Sequence, residues 1–516
     1  MGFRSLYLTA VLWLAASAAS AAAQGAVFCI TDFGAVADGK TMNTRSIQTA
    51  VDQCAETGGG TVLVPAGTFL TGTLRLRTKV TLHLDNGAVL KGSPDVADYV
   101  LDGRRVGLLY THGEKNVAIT GFGSIDGNEA AFFVWDKPKR IDPAGLKFVR
   151  QKERFREVAA GIGDGPVVPL ERPFQMVIFS ECENVLVRDV TLSGSPFWTL
   201  HFADCDGVVV SGVKIWGSLF VPNNDGIDLT TCRNALVSDC DIRTGDDCIA
   251  ITGYDHHFDL PGFNGIRGAC ENINVTNCNL VSRSAGIRIG GLDQNPMRNC
   301  HFSNINITHS NRGIGLFLRD AGSIENMTFN GITIETRLHT GDWWGQGEPI
   351  HVSAVRLTAG VALGKIKNIR FSKVQCTGES GILVYGSEES VIENVSFEGL
   401  VFKLTDSPLN RAAGGNFDLR PVLDERLQLF EHDIPAFFAR YVKNLTVRDF
   451  DLEWGPVRDV FFTNGIEVDR FEGLRIEGFR GSGAPYNSKA CAVKLRNGTG
   501  AKIESGTRAV CKWNVK

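Results

Sequence analysis

The sequence predicts an all-β chain coiled as a parallel β-helix, and three observations carry that prediction: a short internal repeat, period-2 alternation inside each copy, and a high glycine content. The motif Glu183-Asn184-Val185-Leu186-Val187-Arg188-Asp189-Val190-Thr191-Leu192 recurs from Glu271, Arg298, Glu325 and Lys367, with further copies from Lys115, Arg233, Glu393 and Lys443. Within a copy, apolar and polar residues alternate over two short strands split by a turn, as in strands with one buried face. Asn272, Asn299 and Asn326 are 27 residues apart, Asn234 follows Gly207 by 27, and Gly207 follows Asn184 by 23. A unit this short cannot bury its own apolar face, so neighbouring copies must stack and share a core. A propeller or jelly roll does not account for a single-motif period of this length as well. Glycine, at 58 of 516 residues, supplies many tight turns.

The elements follow in chain order. Arg4, the apolar run Leu6 to Ala16 and the small residues ending Ala21-Ala22-Ala23 have the layout of a secretory signal over 1–23, cleaved near Gln24. Asp32-Phe33-Gly34-Ala35 and Asp38-Gly39 read as turns, and Thr44 to Thr57 as an amphipathic helix that caps the solenoid, whose terminal coil would otherwise expose the core. Gly58 to Gly67 starts the first coils, and residues 24–516 form one β-helix domain. Longer intervals, 68 residues from Asn116 to Asn184, 38 from Asn234 to Asn272, 42 from Asn326 to Asn368 and 50 from Asn394 to Asn444, mark loops inserted near 129–171, 253–268, 335–355 and 403–441. The Lys- and Arg-rich stretch Trp135 to Ala160 has helical character, and both it and Lys403 to Tyr441 are placed to wall a groove.

Net charge is −4, so no basic field exists to hold nucleic acid or an anionic membrane. Beyond the leader, no stretch approaches the ~18 apolar residues of a membrane span. Thirteen cysteines is an odd number. Cys182, Cys205, Cys232 and Cys270 recur at one point of the repeat, as stacked core residues would, while Cys29 with Cys54 and Cys491 with Cys511 are disulfide candidates. No CxxC or His/Cys spacing suggests zinc, Tyr254-Asp255-His256-His257 lacks a fourth ligand, and no metal or other cofactor is expected.

Two consecutive coils hold a dense set of acids, Pro222-Asn223-Asn224-Asp225-Gly226-Ile227-Asp228 and Thr244-Gly245-Asp246-Asp247-Cys248-Ile249-Ala250. Aligning Ile227 with Ile249 puts Asp225 and Asp247 in one column, 22 residues apart. Parallel strands stack about 4.8 Å apart, so Asp225, Asp246 and Asp247 must crowd, and at least one pKa must rise. A proton-donating acid beside an ionised base is what glycoside hydrolysis needs. A Ca²⁺ site or a solvated turn ladder fits the same spacing.

These segments together resemble glycoside hydrolase family 28, the polygalacturonase family, whose signature places Asn-Thr-Asp about one coil before Gly-Asp-Asp; here Asn224 replaces the Thr. The opening DFGAVADG, the stretch GGGTVLVPAGTFLTG and Ser195-Pro196-Phe197-Trp198-Thr199-Leu200-His201 are also similar to that family. The resemblance implies a right-handed, pectin-lyase-like solenoid and an inverting hydrolase, with Asp246 as general acid and Asp225 and Asp247 activating the water. An inverting pair is expected about 6.5 to 9.5 Å apart. Two departures stand out. The family's Gly-His-Gly falls on Ser284-Ala285-Gly286, so its histidine is Ala285, and its Arg-Ile-Lys falls on Gly315-Leu316-Phe317, so both sugar-carboxylate cations are lost. The chemistry is retained and the recognition changed, which argues against plain polygalacturonan as substrate.

Substrate contacts are expected from Asp228 and from Arg288, level with Ala250 and Asp228 and able to replace the missing Lys, with a solvated surface arginine as the alternative; Arg319 is a further candidate on the same face. Trp198 and His201 precede Asp225 by one coil, and Gly341 to Pro349 presents Trp343 and Trp344, suited either to stacking on sugar faces or to packing the loop. Arg420 and His432-Asp433 lie in the other large loop. Six N-glycosylation sequons, at Asn274, Asn306, Asn326, Asn394, Asn444 and Asn497, follow largely from the repeat's own Asn-x-Ser/Thr grammar. The sequence thus predicts an exported hydrolase acting on a pectin-like or other complex polysaccharide. A β-helix polysaccharide lyase and a non-catalytic carbohydrate-binding protein are the rivals.

Overall fold

Period-2 alternation produces a continuous parallel ladder in the computed structural model, which describes residues 25–139, 161–255, 268–410, 414–504 and 509–516. The expected leader 1–23 lies outside these residues, as do His256 and His257 and most of the stretch expected to be helical before Ala160. The described start of that stretch is not helical: Phe133–Pro138 is a strand paired antiparallel with Val167–Pro169. Its β-branched and aromatic residues suit a pleated strand, and the partner strand supplies the hydrogen bonds.

The chain is a right-handed parallel β-helix. One of its ladders carries the acids, running through Leu109–His112, Val177–Ser180, Leu200–Ala203, Ile227–Thr230, Ile249–Thr252, Ala285–Gly291, Arg312–Leu318, Ile350–Ala354 and Ile382–Tyr385, each paired in parallel with the next. Helix Thr44–Glu56 covers the N-terminal coil with buried Ile47, Ala50, Val51 and Cys54.

Side chains at equivalent positions stack along the axis at the strand spacing. Phe302, Phe329, Phe371 and Phe397 form one column with ring centroids 4.9, 4.8 and 4.7 Å apart. The repeat's asparagines adopt left-handed backbone, with φ between 55° and 59° at Asn272, Asn299, Asn326, Asn368 and Asn394. Each amide then donates to the Asn one coil earlier, as in Asn326 to Asn299 at 3.1 Å and Asn394 to Asn368 at 2.9 Å. Asn tolerates left-handed φ better than other non-glycine residues, and here it also pairs the turns, which is why the repeat conserves this residue type at its corner.

Of the disulfide candidates, Cys491–Cys511 is formed. Cys29 and Cys54 are free: Cys54 is buried on the inner face of the cap helix and the Cys29 thiol contacts the Thr31 hydroxyl at 3.1 Å. Cys205, Cys232 and Cys270 lie inside the core with each thiol directed at a carbonyl of an earlier coil. Among the described residues no helix is long and apolar enough to cross a membrane.

Two loop contacts shape the outer face of the acid-bearing ladder. Upstream of its strands, residues 161–169 dock on 337–343: Asp164 accepts from the Thr340 amide at 2.9 Å and from Arg337 at 3.1 Å, and its carbonyl accepts from the Trp343 indole at 3.2 Å. Further along the axis, residues 416–423 lie across the ladder as a strap. Asp418, on the upstream side, accepts from the Gly345 amide at 2.9 Å, while the Leu423 amide donates to Leu357 on the downstream side at 2.9 Å. Between them, Arg319 donates to the carbonyls of Leu419 and Pro421 at 2.8 and 2.9 Å.

Candidate active site

The acids sit in the turns that lead into two adjacent strands. Register pairs Ile227 with Ile249 and Ile249 with Ile287, so Asp225, Asp247 and Ala285 occupy successive levels of one column, as the sequence alignment requires. Asn224 explains why this turn holds its shape. Buried completely, its side chain donates to the Ser218 carbonyl at 2.9 Å and accepts from the amides of Gly245 and Asp246 at 2.7 and 3.2 Å, tying one acid-bearing turn to the other.

One carboxylate oxygen from each of Asp225, Asp246 and Asp247 lies within 4.8 Å of the other two. That is closer than the about 6.5–9.5 Å expected of a facing inverting pair, because the coil spacing, not a groove width, sets the separation. Asp246 accepts from the amides of Asn223 and Asp247, both at 3.1 Å, and Asp247 accepts from the Ala285 amide at 2.9 Å. The backbone of Ala285 thus meets the acid at the position where the resemblance implied a histidine.

Burial pushes the pKa of Asp246 up to about 6, with the adjacent Asp247 charge adding to the rise. Asp225 is raised well above the ordinary carboxylate range by burial and then by Asp246 and Asp228. Asp228 is raised by burial as well, against the pull of Arg288, and both its oxygens are buried without a hydrogen bond among the described residues. The arrangement therefore keeps protons on part of the cluster near neutral pH, which an acid catalyst requires.

Arg288 pairs with Ala250 in register and lies in this site, not on a solvated surface: its side chain is 11% exposed, its Nε is 3.6 Å from Asp247, and it donates to the Tyr254 hydroxyl. Trp198, Trp343 and Trp344 line the same cavity. The edge of Trp343 meets Gly245 so closely that a Cβ there would stand 3.1 Å from the ring, which places the indole beside the acids. Trp344 is 40% exposed at the rim.

Three expected contacts are corrected. Arg319 is fully buried beneath the strap, with its guanidinium divided among Ser353, Leu419 and Pro421, so it anchors the strap rather than facing sugar. Arg420 forks onto Asp418 at 2.9 and 2.8 Å and donates to the Trp343 carbonyl, which holds the tryptophan loop. His201 is fully buried, with its ring set edge-on to Trp198 at 5.2 Å, and burial lowers its pKa to about 3, so it supports Trp198 as a neutral ring. Phe317 is likewise covered, between His351 and the guanidinium groups of Arg312 and Arg319. His432 stacks on Phe430 and faces Glu467.

The sequence analysis missed Lys139 and Arg172, and weighed Tyr254 only as part of a metal-candidate run. Lys139 and Tyr254 line the cavity, and Arg172 donates to Pro196, Pro222 and Asn223 around it. Nothing in the local sequence marks Lys139 or Arg172, since each arrives from a loop whose docking is a tertiary event. The cavity measures about 250 Å³. That is roughly eight waters at ~30 Å³ each, on the scale of one sugar ring. Its floor is the acid cluster and its end wall includes Pro421 of the strap.

Residues 169–408 match the family described as glycosyl hydrolases family 28, and residues 27–120 match rhamnogalacturonase A/epimerase, pectate lyase-like. Residues 169–408 thus form a polygalacturonase-like segment, similar to glycoside hydrolase family 28. A probable polygalacturonase of Vitis vinifera is 28% identical over 44% of the chain and 45% of its own length, and an exopolygalacturonase of Zea mays is 26% identical over 52% and 63%. The chain therefore matches about half of the length of these relatives. The family 28 exopolygalacturonase of Yersinia enterocolitica superposes with a TM-score of 0.62 at 17% identity, covering 88% of this chain and 78% of that one, a likeness of fold. The three acids fall inside the family-matched segment, whereas Lys139 and the strap, 416–423, lie outside it.

Proposed function

We propose that this protein hydrolyses a glycosidic bond at the end of a pectin-type polysaccharide. The observation that carries the reading is the buried triad Asp225, Asp246 and Asp247, with oxygens within 4.8 Å, at the floor of a cavity lined by tryptophan. Asp246, protonated below about pH 6, delivers its proton to the glycosidic oxygen as the bond to the anomeric carbon breaks. Asp225 and Asp247 hold a water and take its proton as it attacks that carbon from the opposite face, which inverts the anomer. Action at a chain end is supported by the strap, which bars the ladder one coil beyond Arg288. The replacement of the family's cation pair by Gly315 and Phe317 supports a decorated or mixed pectic chain over plain polygalacturonan. The leader-like residues 1–23 support export.

The short separation of the acids favours one second reading, in which Asp225 or Asp247 attacks the anomeric carbon directly and the product retains its configuration. Incubation with pectic, rhamnogalacturonan and neutral polysaccharides, comparing the native chain with Asp246→Asn and following the new anomer by NMR, separates these. The expected result is an inverted monosaccharide or short product whose release falls about 10²- to 10⁴-fold in the variant. A retained anomer assigns a nucleophile, an unsaturated product makes the protein a lyase, and undiminished cleavage by Asp246→Asn removes the carboxylate assignment altogether.

A further inference from the structure

We propose that Lys139 reads the carboxylate of the sugar unit held in the cavity, so that this unit is a uronate. The inference rests on the reading above only in taking the cavity as the place where the sugar sits. It begins from a charge problem. The cavity is lined by Asp225, Asp246, Asp247 and Asp342, a field that repels an anionic sugar unless a cation stands within reach. The positions where the family resemblance would put two cations are Gly315 and Phe317, and the strap and its anchor Arg319 cover that part of the ladder.

Among the described residues, the other cations at the cavity are engaged by the protein itself. Arg288 faces Asp247 and bonds Tyr254, and Arg172 bonds the carbonyls of Pro196 and Pro222 and the Asn223 side chain at 2.7, 2.8 and 3.0 Å. Lys139 is different. It lines the cavity and is partly buried, yet its ammonium makes no hydrogen bond or ion pair among the described residues. Its position is nonetheless fixed, because its amide donates to the Pro166 carbonyl at 2.6 Å, and the neighbouring Gly165 packs against the Trp343 ring. Burial lowers its pKa, while the field of Asp246 opposes that shift. A partly buried ammonium with no partner among the described residues, lining a cavity for one sugar ring, is completed by an anionic oxygen of the ligand. Because Lys139 acts as a point charge on a flexible stem, it suits a single carboxylate better than a bidentate fork would demand.

Calorimetric titration of the full chain with methyl galacturonide and with its methyl ester tests this without requiring turnover. The native protein should bind the acid at least about tenfold more tightly than the ester. Lys139→Met should abolish that difference, and Lys139→Arg should keep part of it. Equal binding of acid and ester, binding of neither, or discrimination that survives in Lys139→Met overturns the proposal. The two readings fail separately. If no polysaccharide is cleaved but the acid-over-ester preference disappears in Lys139→Met, the hydrolase reading falls and the uronate site stands. If cleavage proceeds and Lys139→Met moves only the pH profile, Lys139 tunes Asp246 and this inference falls.

Discussion

Asp246 concentrates the chemistry at the scale of single residues. Its pKa of about 6 comes first from burial and then from the charge of Asp247, so the protonated form, the acid of the proposed mechanism, is lost as pH rises through that value. The rate should therefore fall on the alkaline side with an apparent pKa near 6, and carboxyl NMR titration of Asp247→Asn should show the Asp246 signal titrating at lower pH than in the native chain, because removing a neighbouring negative charge favours ionisation. An unchanged titration would mean that burial alone sets the value. The sequence made this residue legible: the 22-residue offset between Asp225 and Asp247 and the strand spacing were enough to predict the crowding, and the register of Ile227 with Ile249 bears it out. It also made legible the position of Ala285, whose amide meets Asp247. Lys139 and Arg172 were not legible, because neither is offset from the acids by a whole number of coils.

Strands and loops separate what pattern can specify from what it cannot. The repeat predicted each coil because every residue in it answers to a neighbour one period away, as in the phenylalanine column and the asparagine corner. The same logic failed for Arg319, which shares the face of Phe317 in register but lies under the strap. The strap comes from 416–423, about 100 residues away in sequence, and no periodicity links the two. Its anchoring gives a prediction of its own. Arg319→Met leaves the carbonyls of Ser353, Leu419 and Pro421 without their donor, and should lower stability by about 3 kcal/mol, read by urea unfolding. In the folded fraction, a loosened strap should lengthen the products released from a long substrate, as seen by chromatography. Products of unchanged size would show that the strap does not limit where the chain is cut.

A solenoid as a whole is held by contacts between adjacent coils, so damage at one end stays local. The Cys491–Cys511 bond lies in the last two coils, with Val493–Ile503 paired to Val510–Val515. Replacing both cysteines by serine should raise hydrogen exchange over 493–516, by the equivalent of about 3 kcal/mol for a loop of this length, and leave exchange around Asp246 and the rate of cleavage unchanged. Faster exchange at the acid cluster would mean that the coils unfold as one cooperative unit. The strap has a further consequence for turnover. Because Pro421 of the strap lines the cavity, a unit released there by the proposed cleavage would leave by the mouth through which the polymer came. On the proposed chain-end reading, each cut would require the remaining chain to let go before the next begins, which would make catalysis distributive and set the free sugar in competition with its own parent chain for the same opening.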